Sequence, residues 1–158
     1  MKRMNLDEID VKILANLQRD ARLSNVQLAA RIGLSPAPCL RRVRALEQAG
    51  VIRHYLTVID PAAVNLGVTV WVQVTLDLQM EGRLDIFERA IAKRPEVLEC
   101  YLMTGDADYL LRVIVSDVSA YEVFLRDALT RIESVAGIKS SFALKQIKPF
   151  TELPLSSV

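Results

Sequence analysis

Three arginines lie close together in the stretch LSPAPCLRRVR, which covers residues 34–44. They are Arg41, Arg42 and Arg44, and the next acidic residue along the chain is Glu47. Guanidinium groups on an exposed helix face bind phosphate oxygens and guanine edges, and small residues beside them allow close approach to the major groove. A solvated basic helix face has the same local pattern. The arginines therefore indicate DNA binding only if the neighbouring elements present them on one exposed side.

The two prolines in this stretch favour the start of a helix rather than its interruption. Ser35 is a suitable N-cap, Pro36 falls at the first helical position, and Pro38 still lies in the first turn, where no N–H has an intrahelical acceptor. The helix is predicted to bury a stripe formed by Cys39, Leu40, Val43 and Leu46. Its outward side carries small and cationic residues, namely Ala37, Pro38, Arg41, Arg42, Arg44 and Ala45. The predicted DNA contacts come from Ser35, Ala37, Pro38, Arg41, Arg42 and Arg44.

Two further helices are predicted before this one. The first has one apolar face with the spacing i, i+4, i+5 and i+8, set by Ile9, Ile13, Leu14 and Leu17. Asn5 with Glu8 is a candidate capping box for it. The second begins at Ser24 with Gln27 as its capping partner and ends at Gly33, which is free to take a positive φ. Two short helices joined by a glycine-containing turn form a helix-turn-helix.

Charge is divided unevenly along the chain. Residues 1–60 contain ten Lys or Arg and six Asp or Glu, which gives +4, whereas residues 61–158 contain ten and thirteen, which gives −3. This asymmetry predicts a basic DNA-binding domain joined to a mildly acidic one. We place the first domain at 1–60, with a strand predicted at VIRHYLTVI (51–59), a linker at 61–67 and a second domain at 68–158.

Composition favours a folded protein in a reducing compartment. Hydrophobic residues make up 51% of the chain and charged residues 25%, which is typical of globular domains. Cys39 and Cys100 are the only cysteines, and their apolar neighbours predict reduced core thiols. Acidic residues precede any apolar run at the N-terminus, so no signal peptide is expected. The longest apolar stretch, VTVWVQVTL, is far shorter than the roughly 20 residues of a membrane helix, so we expect a soluble cytoplasmic protein without a membrane partner.

The second domain is predicted to have the order βαββαβ. Apolar and polar residues alternate between residues 68 and 78, which predicts a strand with one apolar face. A helix, two strands joined by the turn GDAD (105–108), a second helix and a final strand complete the order. This is the ferredoxin-like arrangement, so the expected fold class is α+β with both helices on one face of the sheet. The other face, with Trp71 and Met103 as candidate apolar members, is expected to meet another subunit.

These features together resemble the Lrp/AsnC family of leucine-responsive and asparagine-responsive "feast/famine" regulators. The resemblance covers nearly the whole chain and is carried by LDEIDVKIL (6–14), LSPAPCLRRVRALEQAGVI (34–52) and TGDADYLL (104–111). It implies a winged helix-turn-helix followed by a ferredoxin-like sheet domain that senses a free amino acid, in a sequence-specific transcriptional regulator. Family members bind double-stranded DNA as dimers that assemble further, commonly to octamers. The resemblance therefore implies a homodimer and a higher oligomer.

The resemblance also implies an effector pocket at the interface between dimers. The implied residues are Met103, Thr104, Gly105, Asp106, Asp108 and Tyr109, with Val135, Ala136 and Gly137 near a contribution from a neighbouring subunit. Asp106 or Asp108 would pair with the ammonium group of the amino acid, and backbone N–H groups around Gly105 and Gly137 would receive its carboxylate. The resemblance favours leucine, methionine or another apolar amino acid. Without it, GDAD is most simply a hairpin turn.

An enzyme is the main alternative class, and the sequence offers it no support. His54 is the only histidine and has no Cys or acid at a zinc-ligand spacing. No nucleophile elbow, P-loop or dinucleotide motif is present. Asp106 and Asp108 lack the remaining oxygen ligands of a calcium loop. We therefore expect no catalytic residue, metal site or cofactor, and the alternative function is a DNA-organising protein without an effector.

Overall fold

The computed structural model describes residues 5–77, 81–148 and 152–155. The chain forms two compact units. The first contains the residues up to Val58 together with a C-terminal segment that begins at Lys148, and the second extends from Ile59 to Ile147. In the described part of the chain, none of the helices has the length and apolar character needed to cross a membrane.

Three helices form the first unit: α1 (Glu8–Arg19), α2 (Asn25–Ile32) and α3 (Pro36–Gln48). Their shared core consists of fully or nearly fully buried side chains, which are Ile13, Leu28, Ala29, Ile32, Cys39 and Leu46. The predicted stripe of α3 is therefore correct at Cys39 and Leu46, while Val43 is only partly buried. Leu40 was predicted to face inward, but 37% of it is exposed. It lies one position outside the i, i+4, i+7 line that packs on the other helices.

The starts of these helices follow the predicted chemistry with one correction. Ser24 accepts a hydrogen bond from the N–H of Gln27, whose side chain accepts one from the N–H of Ser24, so the capping box of α2 is confirmed. Gly33 has φ 72° at the end of α2, which is the left-handed conformation that glycine adopts without a Cβ clash. The N-cap of α1 is Asp7 and not Asn5, because Asp7 and Asp10 form a reciprocal capping box. A carboxylate is at least as good an acceptor there as an amide.

Replacing Ser24 with Ala is expected to lower the free energy of unfolding by about 1 kcal/mol, because the first turn of α2 loses a capping acceptor. Ser35 occupies the N-cap position of α3 but makes no side-chain capping bond. Ser35→Ala is therefore the matched control and should leave the stability nearly unchanged. Urea unfolding followed by circular dichroism measures both variants. Equal losses in both would contradict the assignment of the caps.

The segment after α3 differs from the prediction. Residues 53–60 contain no strand and are exposed, although VIRHYLTVI predicted one. Leu56 and Val58 are 79% and 84% exposed. A strand requires a neighbour to bond its N–H and C=O groups, and the described residues of this chain supply none to this segment. Alternation of apolar residues thus identified a sequence able to form a strand, but no partner for it occurs among the residues described above.

The C-terminal segment, which the prediction placed in the second domain, contacts α1. The Gln18 side chain of α1 accepts a bond from the Leu153 N–H at 2.8 Å, and Arg19 forms an ion pair with Glu152 at 3.0 Å. Residues 152–155 therefore belong with the helical unit. No local pattern predicts such a contact, because the partners are more than 130 residues apart in the chain.

The second unit is a four-stranded antiparallel sheet with two helices. In chain order it contains β1 (Val68–Leu76), α4 (Arg83–Ile91), β2 (Val97–Leu102), β3 (Tyr109–Val115), α5 (Val118–Asp127) and β4 (Val135–Phe142). Short 3-10 helices cover Ala62–Val64 and Leu129–Arg131. The strands lie in the order β2-β3-β1-β4, so the predicted ferredoxin-like α+β fold is confirmed.

Both helices cover one face of this sheet. Phe87 and Ile91 of α4 and Tyr121 and Phe124 of α5 pack on the buried side of the strands. The opposite face carries Trp71, Leu110 and Tyr101 by strand alternation, around an Arg112–Glu99 ion pair at 2.9 Å. This face is mixed rather than purely apolar. Cys39 is buried as predicted, whereas Cys100 is exposed because β2 is an edge strand.

Candidate functional site

The exposed face of α3 presents two of the three arginines together. Ala37, Arg41 and Arg44 are exposed and follow the spacing i, i+4 and i+7, which places them on one side of the helix. Neither Arg41 nor Arg44 forms a salt bridge within the described ranges. Ser35 is exposed at the start of the helix, and Pro38 is partly buried beside it. A surface that is small at its N-terminal end and cationic further along suits the major groove.

Arg42 is not a free cation, contrary to its predicted outward position. Its Nη1 lies 2.7 Å from Oδ2 of Asp7 and 2.9 Å from Oδ1 of Asp10. Asp7 is the N-cap of α1 and Asp10 lies in its first turn, and both are more than 30 residues earlier in the chain than Arg42. The absence of an acid close in sequence therefore did not mean the absence of an acid close in space.

The contacts with Arg42 stabilise the negative charges of Asp7 and Asp10. The backbone N–H of Asp10 and the Arg42 guanidinium both hold the pKa of Asp7 below its ordinary value. The side chain of Asp10 is only 7% exposed, so its carboxylate depends on these partners in place of water. Neither acid was among the predicted functional residues. LDEIDVKIL shows acids at the start of α1, but nothing in that stretch indicates Arg42 as their partner.

Asn25 fixes the start of α3 relative to α2. Its Nδ2 donates a hydrogen bond of 2.8 Å to the backbone oxygen of Pro36, eleven residues later. Pro36 itself lies at the first helical position as predicted. The turn between the two helices is thereby closed by the Asn25 side chain as well as by Gly33, and Asn25 was not among the predicted functional residues.

The predicted effector residues gather at one end of the sheet. Met103, Thr104, Gly105 and Asp106 are exposed in the turn between β2 and β3, where Gly105 has φ 117°. The turn is closed by a hydrogen bond of 2.8 Å from the Met103 N–H to the backbone carbonyl oxygen of Asp108. No hydrogen bond to the Asp106 side chain occurs among the residues that the structure describes. Its carboxylate is therefore available to a ligand.

Asp108 has a different environment from Asp106. Its Oδ2 accepts a hydrogen bond of 2.7 Å from the N–H of Leu76, at the end of β1. Its own N–H donates to the Val74 oxygen at 2.9 Å. Asp108 thus ties the turn to the central strand, and one of its carboxylate oxygens is engaged within the fold.

The segment Val135 to Gly137 lies at the same end of the same sheet. Val135 pairs with Leu76 and Gly137 with Thr75, on the opposite side of β1 from the turn. A Cβ on Gly137 would lie 3.7 Å from that of Thr75, which is ordinary contact. Ala136 is exposed. Within one chain, both predicted parts of the pocket therefore lie at the same end of the sheet, with the end of β1 between them.

Tyr109 belongs to the core. It is 2% exposed, its ring centroid lies 4.5 Å from that of Phe87, and its hydroxyl bonds Glu88 at 2.6 Å. Burial and the Glu88 carboxylate raise the pKa of the phenol above its ordinary value. The side chain points to the helical face and away from the exposed turn, so the structure does not bring it into the same site as Asp106.

A cleft of about 490 Å³ lies elsewhere in this unit, between α5 and the far end of β3. Its lining includes Ile114, Ala120 and Phe124 and none of the predicted effector residues. The turn end of the sheet is open instead. No cluster of three or more metal-ligating side chains occurs in the ranges given above.

Comparison with known sequences covers both units. Residues 69–153 match the Lrp/AsnC ligand binding domain, and residues 6–53 match a winged helix-turn-helix DNA-binding domain. The chain is 47% identical over 150 residues to the Bkd operon transcriptional regulator of Pseudomonas aeruginosa, covering 95% of this chain and 98% of the relative. It is 40% identical over 156 residues to the leucine-responsive regulatory protein of Escherichia coli, covering 97% and 93%.

Solved structures of transcriptional regulators are also similar to this chain over nearly its whole length. The complex of a Neisseria meningitidis transcriptional regulator with L-Met has a TM-score of 0.93 at 42% identity and covers 97% of this chain and 99% of that one. An AsnC family transcriptional regulator of Agrobacterium tumefaciens has a TM-score of 0.90 at 42% identity, with coverage of 96% and 99%.

Proposed function

Because this chain belongs to the Lrp/AsnC family of DNA-binding transcriptional regulators, whose members are not enzymes, we propose that it controls transcription in response to an apolar amino acid. The proposed effector is methionine, leucine or a similar amino acid. The observation that carries the proposal is the likeness to a regulator solved with L-Met, combined with the open acidic turn at the end of the sheet. The proposed site of action is the cytoplasm.

The DNA-binding half of the proposal rests on α3, which we call the recognition helix. Arg41 and Arg44 are proposed to contact phosphates or guanine edges, with Ser35, Ala37 and Pro38 allowing close approach. The helix has 13 residues and is therefore about 20 Å long, enough to lie along a major groove. Arg42 is removed from the proposed contacts because it is engaged with α1.

The effector half rests on the turn between β2 and β3. Asp106 is proposed as the partner of the effector ammonium, because its carboxylate is exposed while Asp108 already bonds Leu76. Backbone N–H groups near Gly105 and Gly137 are proposed to receive the effector carboxylate. Met103 and Thr104 would line the site. Since this end is open to solvent in one chain, a neighbouring subunit is proposed to close it.

Neutralising Asp106 tests this assignment. Asp106→Asn is expected to weaken binding of L-Met or L-Leu about tenfold or more in calorimetry, because a charge-assisted hydrogen bond is lost. Its melting temperature should not change, since the side chain is exposed. Asp108→Asn is the matched control: it removes the same charge and retains an oxygen for the Leu76 N–H. Undiminished binding in the Asp106 variant would refute the role of this residue.

The effector itself is identified by a thermal-shift screen of the twenty amino acids on the full chain. A ligand that binds only the folded state raises its apparent stability. Sedimentation with and without the amino acid that gives the largest shift then reports any change in assembly. If none of the twenty shifts the melting temperature, the alternative of a DNA-organising protein without an effector is supported instead.

A homodimer that assembles further, up to an octamer, is also proposed. Residues 53–60 expose an apolar, strand-competent segment without a partner in the described chain. The open face of the sheet adds Trp71 and Tyr101 around the Arg112–Glu99 ion pair. Exposed apolar surface of this kind is typical of subunit contacts.

A further inference from the structure

Arg42 connects the recognition helix to the first turn of α1 through one nitrogen. Nη1 lies between the carboxylates of Asp7 and Asp10, at 2.7 and 2.9 Å. The two acids are joined to each other by the capping box, with bonds of 2.9 Å from the Asp10 N–H to Asp7 and 3.3 Å from the Asp7 N–H to Asp10. Four hydrogen bonds thus join three residues, which we call the Arg42 clamp.

Burial of Asp10 distinguishes the clamp from an ordinary surface ion pair, whereas the side chain of Asp7 is 52% exposed. The side chain of Asp10 is 7% exposed and that of Arg42 is 34% exposed. A buried carboxylate that loses its cation keeps the cost of desolvation without compensation. The packing of α3 on α1 that brings Arg42 to these acids is therefore favoured over arrangements that separate them.

The position of Arg42 around the helix explains why it can serve this role. Successive residues of an α-helix are about 100° apart, so Arg41 and Arg44 share the exposed side while Arg42 lies toward α1. Cys39 and Leu46 anchor the buried side. Apolar packing alone permits small rotations of a helix. The hydrogen bonds from Arg42 to two carboxylates have defined lengths and directions, so they restrict such rotations.

We propose that Arg42 is a positioning residue for DNA binding, which fixes the rotation and placement of the recognition helix on α1 and does not contact DNA. The proposal rests on the sequence-specific DNA binding proposed above. It also predicts that two negative charges support binding to a negatively charged ligand. Asp7 and Asp10 repel DNA phosphates by simple electrostatics, yet removing their charge weakens specific binding because the helix loses its position.

The test compares Asp7→Asn, Arg42→Met and the double variant in the full chain. Asn is as good an N-cap as Asp, so Asp7→Asn can keep the cap of α1 through its one amide oxygen. It removes the charge and replaces the oxygen that accepts from Arg42 with an NH2 donor, which breaks this side of the clamp. Glu8→Gln is the matched control, since Glu8 is an exposed acid in the same turn that makes no bond to Arg42. The probes are a labelled duplex that the wild-type chain selects from a randomised library and the unselected library itself.

Asp7→Asn and Arg42→Met are each expected to weaken binding to the selected duplex about tenfold, the loss typical of one disturbed base contact. Binding to the unselected library should be retained, and the slope of log K against log salt should equal that of the wild type. The double variant should be no worse than Arg42→Met alone, because the two changes break the same clamp. Glu8→Gln should bind both probes at least as well as the wild type.

Two results would contradict the proposal that Arg42 positions the recognition helix. One is an Asp7→Asn variant that behaves like Glu8→Gln. The other is an Arg42→Met variant whose salt slope falls by about one, as loss of a phosphate contact requires.

Amide hydrogen exchange supplies a test that needs no DNA. Exchange in α3 should accelerate in Asp7→Asn and Arg42→Met but not in Glu8→Gln. Unchanged protection in the first two contradicts the clamp, whatever the DNA experiments show. A wild-type chain that selects no duplex would instead contradict sequence-specific binding, so the two failures are distinguishable.

Discussion

Replacing both Arg41 and Arg44 with Ala is expected to reduce affinity for a selected duplex roughly a hundredfold, since each arginine contact contributes about 1–3 kcal/mol. The slope of log K against log salt should fall by up to about two, one for each phosphate-neutralising cation lost. Both side chains are exposed on the same side of α3 and form no ion pair among the described residues, so the substitutions should not affect folding. Fluorescence anisotropy at several salt concentrations measures affinity and slope together.

The control removes the same charge from elsewhere in the helical unit. Arg19 pairs with Glu152, and Arg22 is exposed in the turn after α1. The double variant Arg19→Ala, Arg22→Ala therefore has the same net charge as the test variant but keeps the cations of α3. Equal losses in the two double variants would show that DNA responds to net charge and not to this helix face.

Single variants of Arg41 and Arg44 distinguish contacts with DNA bases from contacts with DNA phosphates. An arginine that contacts a guanine edge specifies that base, so its loss should relax the sequence selected from a random library. An arginine that contacts only phosphate should lower affinity for all duplexes alike. The selected sequences therefore assign the role of each.

Structural features that depend on residues close together in the sequence were predictable. The capping box at Ser24, the left-handed Gly33 and the proline-initiated α3 each depend on residues within four positions of one another. The sheet was predictable because alternation with a period of two is local as well. The strand expected at 51–59 failed because its formation depends on a partner, and the pattern contains no information about one.

The Arg42 clamp was not predictable from local pattern. Along α3 alone, Arg41, Arg42 and Arg44 are three equivalent cations, and the acids that distinguish Arg42 lie on another helix. Only the packing of α1 on α3 distinguishes Arg42 from the two arginines that form no ion pair in the described ranges. The same limit applies to Asp106 and Asp108, which are alike in the turn sequence but differ once Leu76 is placed beside Asp108.

Tyr109→Ala is expected to destabilise the sheet unit by about 3–5 kcal/mol, the range for removing a buried aromatic side chain. Tyr109 is 2% exposed and packs on Phe87, so its loss leaves a cavity between β3 and α4. Tyr109→Phe keeps the ring and loses only the bond to Glu88, so about 1 kcal/mol is expected. Thermal and urea unfolding measure both.

Amino-acid binding distinguishes this core role from the pocket role that the family resemblance implied for Tyr109. If its side chain only supports the fold, Tyr109→Phe should bind L-Met like the wild type, because the ring and the turn remain in place. Tyr109→Ala should regain binding when temperature is lowered enough to restore folding. Weak binding by a fully folded Tyr109→Phe would place the hydroxyl in the effector site. Since that hydroxyl bonds Glu88 on the helical side of the sheet, and the free carboxylate of Asp106 lies in the exposed turn, the geometry favours unimpaired binding.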